Sequence, residues 1–260
     1  MIKRRITQTL SLLLLHSSWG PELKWFCNPV LSCHSCVLSW FACPIGVYIH
    51  YSGYHLFPFI ALGMVLLLGI VFGKLFCGWV CPFGFLQDML HKIPTRKLIL
   101  PKWTSHIKYL VLVLTVFLIP FFLGEETMYS FCRICPASAL QVTLPNLFSS
   151  GSLILPLATL VKLMVLVAVL LAVIFSRRAF CKALCPIGAI LAPLNLISFW
   201  KVKLPTDNCV SCDKCDEVCP STVSPSSRIA KGVVSNRSLD CMVCHDCRTV
   251  CPLKAREAKT

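Results

Sequence analysis

Apolar runs long enough to matter in a bilayer recur along this chain, separated by short polar stretches in which Cys-Pro keeps returning. The first covers residues 6–26, where Leu10 to Leu15 leads on to Trp25-Phe26 past Pro21, Glu22 and Lys24, with Lys3, Arg4 and Arg5 just ahead. Its start resembles the charged and apolar regions of a signal peptide, but no small-x-small cleavage motif follows Leu15, so a retained membrane helix is expected. Residues 55–76 make a cleaner run, 107–123 a shorter one and 153–175 a fourth. About 20 residues rising about 1.5 Å each match the roughly 30 Å hydrocarbon core of a bilayer, so the pattern predicts an α-helical integral membrane protein of about four spans.

Basic residues are shared unevenly among the loops. Lys3, Arg4 and Arg5 precede the first run; Lys74, Lys92, Arg96, Lys97, Lys102 and Lys108 lie between the second and third; Arg177, Arg178 and Lys182 follow the fourth. The two remaining loops hold little beyond Lys24 and Arg133, with Glu125 and Glu126 alongside. By the positive-inside rule this predicts both termini in the cytoplasm and a multi-pass protein of the cytoplasmic membrane, with Arg177, Arg178 and Lys182 acting first as topology markers and, as a second reading, as charges that lower the energy of a reduced cluster nearby. Composition agrees, because 56% of residues are hydrophobic, 14% are charged and mean hydropathy is +0.74, which excludes an ordinary soluble globule. The net charge of +14 does not point to nucleic acid, since no basic stretch carries interleaved aromatic residues. Lys162, mid-way along the fourth run, is costly there; it is a candidate for offsetting cluster charge or meeting a quinone headgroup, with snorkelling as the plain alternative.

Eighteen cysteines bring in the chemistry. Cys209, Cys212, Cys215, Cys219-Pro220 and then Cys241, Cys244, Cys247, Cys251-Pro252 repeat the spacing C-x2-C-x2-C-x3-C-P, that of a ferredoxin with two [4Fe-4S] clusters. Three thiolates on one tight loop wrap a face of a cubane, and the fourth comes from the other run. Cys209, Cys212, Cys215 and Cys251 are therefore expected to hold one cluster, and Cys241, Cys244, Cys247 and Cys219 the other. Residues 201–260 are expected to form a ferredoxin-like α+β domain on the reducing, cytoplasmic side. Zinc has no use for the third cysteine of each triplet. A c-type haem on Cys241-Met242-Val243-Cys244-His245 would strip ligands from both clusters. His34 and His245, beside cysteines, are expected to be neighbours rather than ligands.

Residues 1–200 carry four more Cys-Pro pairs, at Cys43, Cys81, Cys135 and Cys185, and their order suggests two parallel repeats, 1–100 and 101–200. Cys77 and Cys81, like Cys181 and Cys185, stand four apart. A proline after the second cysteine suits a helix that begins there, with cysteine near the N-cap and proline at the first helical position. The positive end of such a helix stabilises an anionic cluster, so Cys77, Cys81, Cys181 and Cys185 are candidate ligands of an inner membrane cluster. On the opposite side, Cys132 and Cys135 could join two of Cys33, Cys36 and Cys43 in an outer cluster; thiols or disulfides are the alternative there, with Cys27 also nearby.

At Phe76-Cys77-Gly78-Trp79-Val80-Cys81-Pro82-Phe83-Gly84 and Phe180-Cys181-Lys182-Ala183-Leu184-Cys185-Pro186-Ile187-Gly188, followed by the double tail run, the chain resembles the NapH-type membrane ferredoxins, a polyferredoxin-like group of 4Fe-4S proteins. The group shares its C-x3-C-P module with the nitrous-oxide-reductase regulator and the cbb3-oxidase accessory protein. The resemblance covers residues 55–252, and reaches the eight tail cysteines and Cys77, Cys81, Cys181 and Cys185. It implies a membrane electron carrier that relays single electrons between a cytoplasmic redox partner or the quinone pool and a membrane or outer-face acceptor. It is compatible with a quinol dehydrogenase component rather than a stand-alone enzyme. The alternative is a maturation factor that uses the same clusters to reduce a metal or thiols for another enzyme. No acid–base pair, nucleotide loop or activated nucleophile is present, so any chemistry is redox at a cluster or a bound quinone.

Overall fold

Proline and glycine set where the helices begin and end, more tightly than the apolar runs alone suggest. The computed structural model describes residues 2–17, 23–101, 103–150, 156–203, 209–233 and 238–252. Helix α1 (Ile2–Leu15) is followed by a short parallel pair, β1 (Leu23–Cys27) and β2 (Phe41–Ala42), then by α2 (Pro44–Gly53), α3 (Phe59–Phe72), α4 (Leu75–Trp79) and α5 (Pro82–Leu90). One uninterrupted helix, Thr104–Leu123, consists of α6 (Thr104–Val111), a π-helical stretch (Leu112–Leu118) and α7 (Ile119–Leu123). Next come α8 (Phe131–Ile134), α9 (Pro136–Ser138), a second π-helical stretch (Ala139–Thr143), α10 (Leu144–Ser150), α11 (Leu157–Phe175), α12 (Ala179–Ala183) and α13 (Pro186–Ile197). The tail adds α14 (Lys214–Glu217), α15 (Pro225–Ala230) and α16 (Asp246–Thr249).

Thr104–Leu123 and α11 are long and apolar enough to cross a membrane, yet only 17% of each is buried. A core helix of a soluble protein hides its apolar side chains; here Leu110, Phe117, Phe121, Met164, Val167 and Leu171 face outward. The third expected run is thus a helix that begins earlier, at Thr104. The fourth begins at Leu157 after Pro156, with residues 151–155 outside the described part. The second is shorter than its apolar run. Helix α3 has 14 residues, starts after Pro58 and stops at Gly73, whose φ of +58° a glycine adopts without steric cost.

The first expected span is corrected. Helix α1 ends at Leu15, the chain turns back so that the Trp40 amide donates to the Leu15 carbonyl, and Leu23–Cys27 is strand, while residues 18–22 lie outside the described part. Helix α1 is also polar on its inward face. Gln8 Nε2 donates to the Gly78 carbonyl (2.9 Å) and Ser11 Oγ to the Val80 carbonyl (2.7 Å), while Ile6, Leu10, Leu13 and Leu14 point outward.

The core lies where α2, α3, Thr104–Leu123, α11 and α13 meet, around Ile45, Val65, Val116, Val173, Ile187 and Leu191. A second small core holds the tail against this body through Val202, Ile229, Val243 and Cys247, with Leu75 packed on it. Among the described residues the tail contains short helices, with a β-bridge residue at Lys203; residues 204–208, 234–237 and 253–260, on which the α+β expectation also falls, lie outside the described residues.

Buried charge completes the docking of the tail. Arg178 forks onto Asp88 (Nε to Oδ1 2.8 Å, NH2 to Oδ2 2.6 Å), Arg4 meets Asp88 at 3.1 Å, and Arg4 also meets Asp246 of α16 at 2.6 Å. Lys108, fully buried, reaches Asp240 at 2.5 Å. Arg178 and Lys182 are buried and held by these and neighbouring contacts, while Arg177 alone of the three is exposed.

Candidate iron–sulfur sites

Each Cys-Pro pair of residues 1–200 starts a helix, and the four starts are alike. Cys43, Cys81, Cys135 and Cys185 are N-caps with φ between −64° and −74° and ψ between 114° and 124°, each followed by proline at the start of its helix. Proline loses nothing at that position, since the amide it lacks has no intrahelical partner. At Cys185 a free amide of the first turn reaches the sulfur, the Gly188 N–H donating to Sγ at 3.4 Å, whereas the side chains of Cys43, Cys81 and Cys135 take no capping hydrogen bond. The two C-x3-C-P copies repeat down to the backbone. The amides of Val80 and Cys81 both point at the Phe76 carbonyl (3.0 and 2.9 Å), and those of Leu184 and Cys185 at the Phe180 carbonyl (2.9 and 3.0 Å).

These starts bring Cys77, Cys81, Cys181 and Cys185 to one cavity, closed by Lys74, Leu31, Ile187 and Met242 among others. Gln87 Nε2 donates to Cys181 Sγ at 3.0 Å. Burial pushes the Cys77 thiol up to about 11 and the Cys181 thiol up to about 12, and draws the Lys74 ammonium down to about 8. Free thiols at Cys77 and Cys181 would stay protonated at neutral pH, so a bound cation is what would bring them to the thiolate form. Among the described residues, no three Cys, His, Asp or Glu side chains stand close enough to share a single metal ion. A four-iron cubane is wider than an ion and sets its thiolates further apart. The donors, the two helix N-termini and the buried ammonium therefore fit [4Fe-4S] better than zinc.

Cys33, Cys43, Cys132 and Cys135 line a second cavity, with His34, Phe131 and Ser138 beside them. Of the three cysteines expected to compete for two places, Cys33 and Cys43 are on this cavity and Cys36 is not; Cys27 lines a separate apolar pocket with Trp25, Tyr51 and Phe57. Leu31 is a wall of both four-cysteine cavities, so the two are neighbours inside the protein. Lys162 turns inward, its Nζ donating to Ser138 Oγ at 2.8 Å.

In the tail, both triplets bend alike. Ser211 and Asp213 flank Cys212, and Val243 and His245 flank Cys244, all with φ between 50° and 62°. A β-branched residue such as Val243 rarely takes that conformation, and its strain is held by burial in the small core. Cys219 lies within electrostatic reach of Cys241 and Cys247, the neighbours the crossed assignment gives it. Cys209 and Cys212 are exposed, while Cys215 and Cys251 are half-buried. His245 Nε2 accepts from Trp200 Nε1 at 3.2 Å. The Cys241–Cys244 loop rests on α4. Trp79 Nε1 donates to the Val243 carbonyl at 3.2 Å, Asn195 Nδ2 to the Ser238 and Cys241 carbonyls at 2.7 and 3.1 Å, and a Cβ at Gly78 would stand 2.5 Å from the Met242 carbonyl. Met242, Leu31, Asp88 and Asp246 have no spacing signal and sequence reading did not single them out, while Arg4 and Arg178 were noted only as basic residues beside apolar runs, not as partners of one carboxylate.

Comparison with known proteins bears on the same segments. The 4Fe-4S binding domain family matches the chain twice, over residues 54–101 and 157–205, so Cys77 and Cys81 fall in one copy and Cys181 and Cys185 in the other. The chain is 26% identical to the uncharacterized protein MJ0750 of Methanocaldococcus jannaschii over 200 residues, covering 73% of this chain and 74% of that one. It is 27% identical over 207 residues to YccM of Escherichia coli, named for electron transport, covering 76% of this chain and 54% of YccM. It is also 27% identical over 207 residues to the ferredoxin-type protein NapH of Haemophilus influenzae, covering 76% and 66%. The chain thus spans only about half the length of YccM. No solved structure matches. The chain thus carries two copies of a 4Fe-4S binding domain and is similar to ferredoxin-type proteins of the NapH kind.

Proposed function

We propose that this chain is a membrane iron–sulfur electron-transfer protein. Its tail exchanges single electrons with a cytoplasmic partner protein or the quinone pool, and a cluster on Cys77, Cys81, Cys181 and Cys185 links that tail to an acceptor in the membrane or beyond it. One observation carries the reading: Met242, between tail ligands Cys241 and Cys244, is itself a wall of the cavity on which those four cysteines meet. Two candidate sites then share a side chain as their boundary. Bound [4Fe-4S] clusters take up and release single electrons. The chain's own part is to gather thiols, exclude water and supply compensating charge. Lys74 lines the cavity, and Arg178 donates from NH1 to the Cys77 carbonyl at 2.8 Å and to Met242 Sδ at 2.7 Å, so positive charge stands on the tail side of the site.

Membrane residence is supported by the outward apolar faces of Thr104–Leu123 and α11 and, over shorter lengths, of α3 and α1. We infer four helices in the bilayer, the two longer ones crossing it. The Arg4–Asp246 pair keeps the start of α1 beside the tail, in keeping with both on the cytoplasmic side. YccM is named for electron transport and the NapH relatives as ferredoxin-type proteins, and the proposal extends that class to this chain.

Iron and labile-sulfide analysis of anaerobically purified protein tests the reading. Cys81→Ala/Cys185→Ala should lose about four irons per chain and keep about eight in the tail. An iron content equal to wild type in that variant, or zinc in place of iron, would contradict it.

A further inference from the structure

We propose that Cys33, Cys43, Cys132 and Cys135 hold a further [4Fe-4S] cluster, charge-balanced by Lys162, and that it exchanges electrons with the Cys77–Cys185 site across Leu31. The proposal rests on the electron-transfer reading above and adds a station to it.

Four thiols reach this cavity from two separate parts of the chain, Cys33 and Cys43 from residues 33–43, and Cys132 and Cys135 from residues 132–135. None of them is disulfide-bonded. Pairing in disulfides needs only two partners at a time and gives no reason for four to surround one space. Two of the four, Cys43 and Cys135, have the same N-cap backbone geometry as Cys81 and Cys185, each followed by proline at the start of a helix. Helix N-termini favour sulfur in its anionic form.

Two further side chains are placed as such a site requires. Gln141, in the second π-helical stretch, accepts from the Cys33 amide at 2.7 Å through Oε1, and fixes a loop that otherwise has no regular structure there. Lys162 is the single lysine of α11, a helix whose other outward side chains are apolar, and it turns in to Ser138 on the cavity wall. Lys162 is half-buried on an otherwise apolar helix, where an anion close by offsets the cost of its charge. The four-thiolate cluster supplies one, with net charge −2 when oxidised and −3 after accepting one electron. Assembly releases the four thiol protons to solvent, and the electron comes from the reduced cluster across Leu31, so no further reductant is needed.

The test is metal and sulfide analysis of the full chain, purified anaerobically, with zinc and copper measured alongside. Wild type should hold about sixteen irons, Cys43→Ala/Cys135→Ala about twelve, and Cys27→Ala/Cys36→Ala the wild-type number. About twelve irons in wild type, or zinc or copper at the second site, overturns the proposal. It does so without touching the electron-transfer reading, provided Cys81→Ala/Cys185→Ala still loses four irons. Should the cysteine variants fail to accumulate, Lys162→Met serves instead. It should retain all iron and lower the midpoint potential of one cluster, with Lys162→Arg restoring it; potentials unchanged in Lys162→Met overturn the proposal.

Discussion

Arg178 is 1% exposed and is answered by Asp88, which it grips at two points, with Arg4 bound to the same carboxylate. Burial alone would raise the Asp88 carboxyl, but the charge and hydrogen bonds of Arg178, and then Arg4, hold it below the usual carboxylate value. A carboxyl depressed in the fold stabilises it at neutral pH and gives up that contribution as pH falls through the carboxylate range. Asp88→Asn would leave two guanidinium groups short of charge in a buried setting, at a cost of about 3–5 kcal/mol. Because Arg4 also holds Asp246, the loss should appear as a lower Tm and as faster proteolytic release of the tail. Stability and protease resistance equal to wild type would show the network to be incidental. None of these four residues was legible as a network. Asp88 and Arg178 are 90 positions apart, and a basic residue beside an apolar run looks the same in sequence whether it marks topology or is buried in an ion pair.

The helices show which patterns carry information. Cysteine spacing was readable because a metal cluster fixes the distance between its ligands; the N-cap geometry foreseen for Cys81 and Cys185 is present, and extends to Cys43 and Cys135. Apolar runs located the helices but not their ends. Pro58 and Gly73 trim α3 to 14 residues, and the polar inward face of α1 was hidden within a run judged by its leucines. The choice of Cys33 over Cys36 depends on a loop pinned by Gln141 from 108 positions away, which no local pattern encodes. Orientation of the long helices makes a further prediction. Val167 sits on the exposed face of α11, so Val167→Lys should cost about 2.5–3.5 kcal/mol of insertion if that face meets lipid, and a smaller fraction of the protein should sediment with membranes. If the same substitution leaves both yield and membrane fraction unchanged, the outward face of α11 meets water.

Taken as a whole, the molecule places its candidate sites in a row. The tail loop carrying Cys241 and Cys244 rests on Gly78 and Trp79, Met242 closes the first cavity, and Leu31 separates that cavity from the second. Buried Lys74 and Arg178 and half-buried Lys162 stand beside these candidate sites, and in the proposed reading they offset the negative charge that electrons would bring. Clusters that close would feel one another's unpaired spins, so EPR of the fully reduced, anaerobically purified protein measures their adjacency directly. The predicted result is a spectrum broadened and split by coupling between clusters, which simplifies in Cys81→Ala/Cys185→Ala to the signals of the remaining sites. A wild-type spectrum that is merely the sum of independent tail signals, unchanged in that variant, would contradict a continuous path for electrons through this protein.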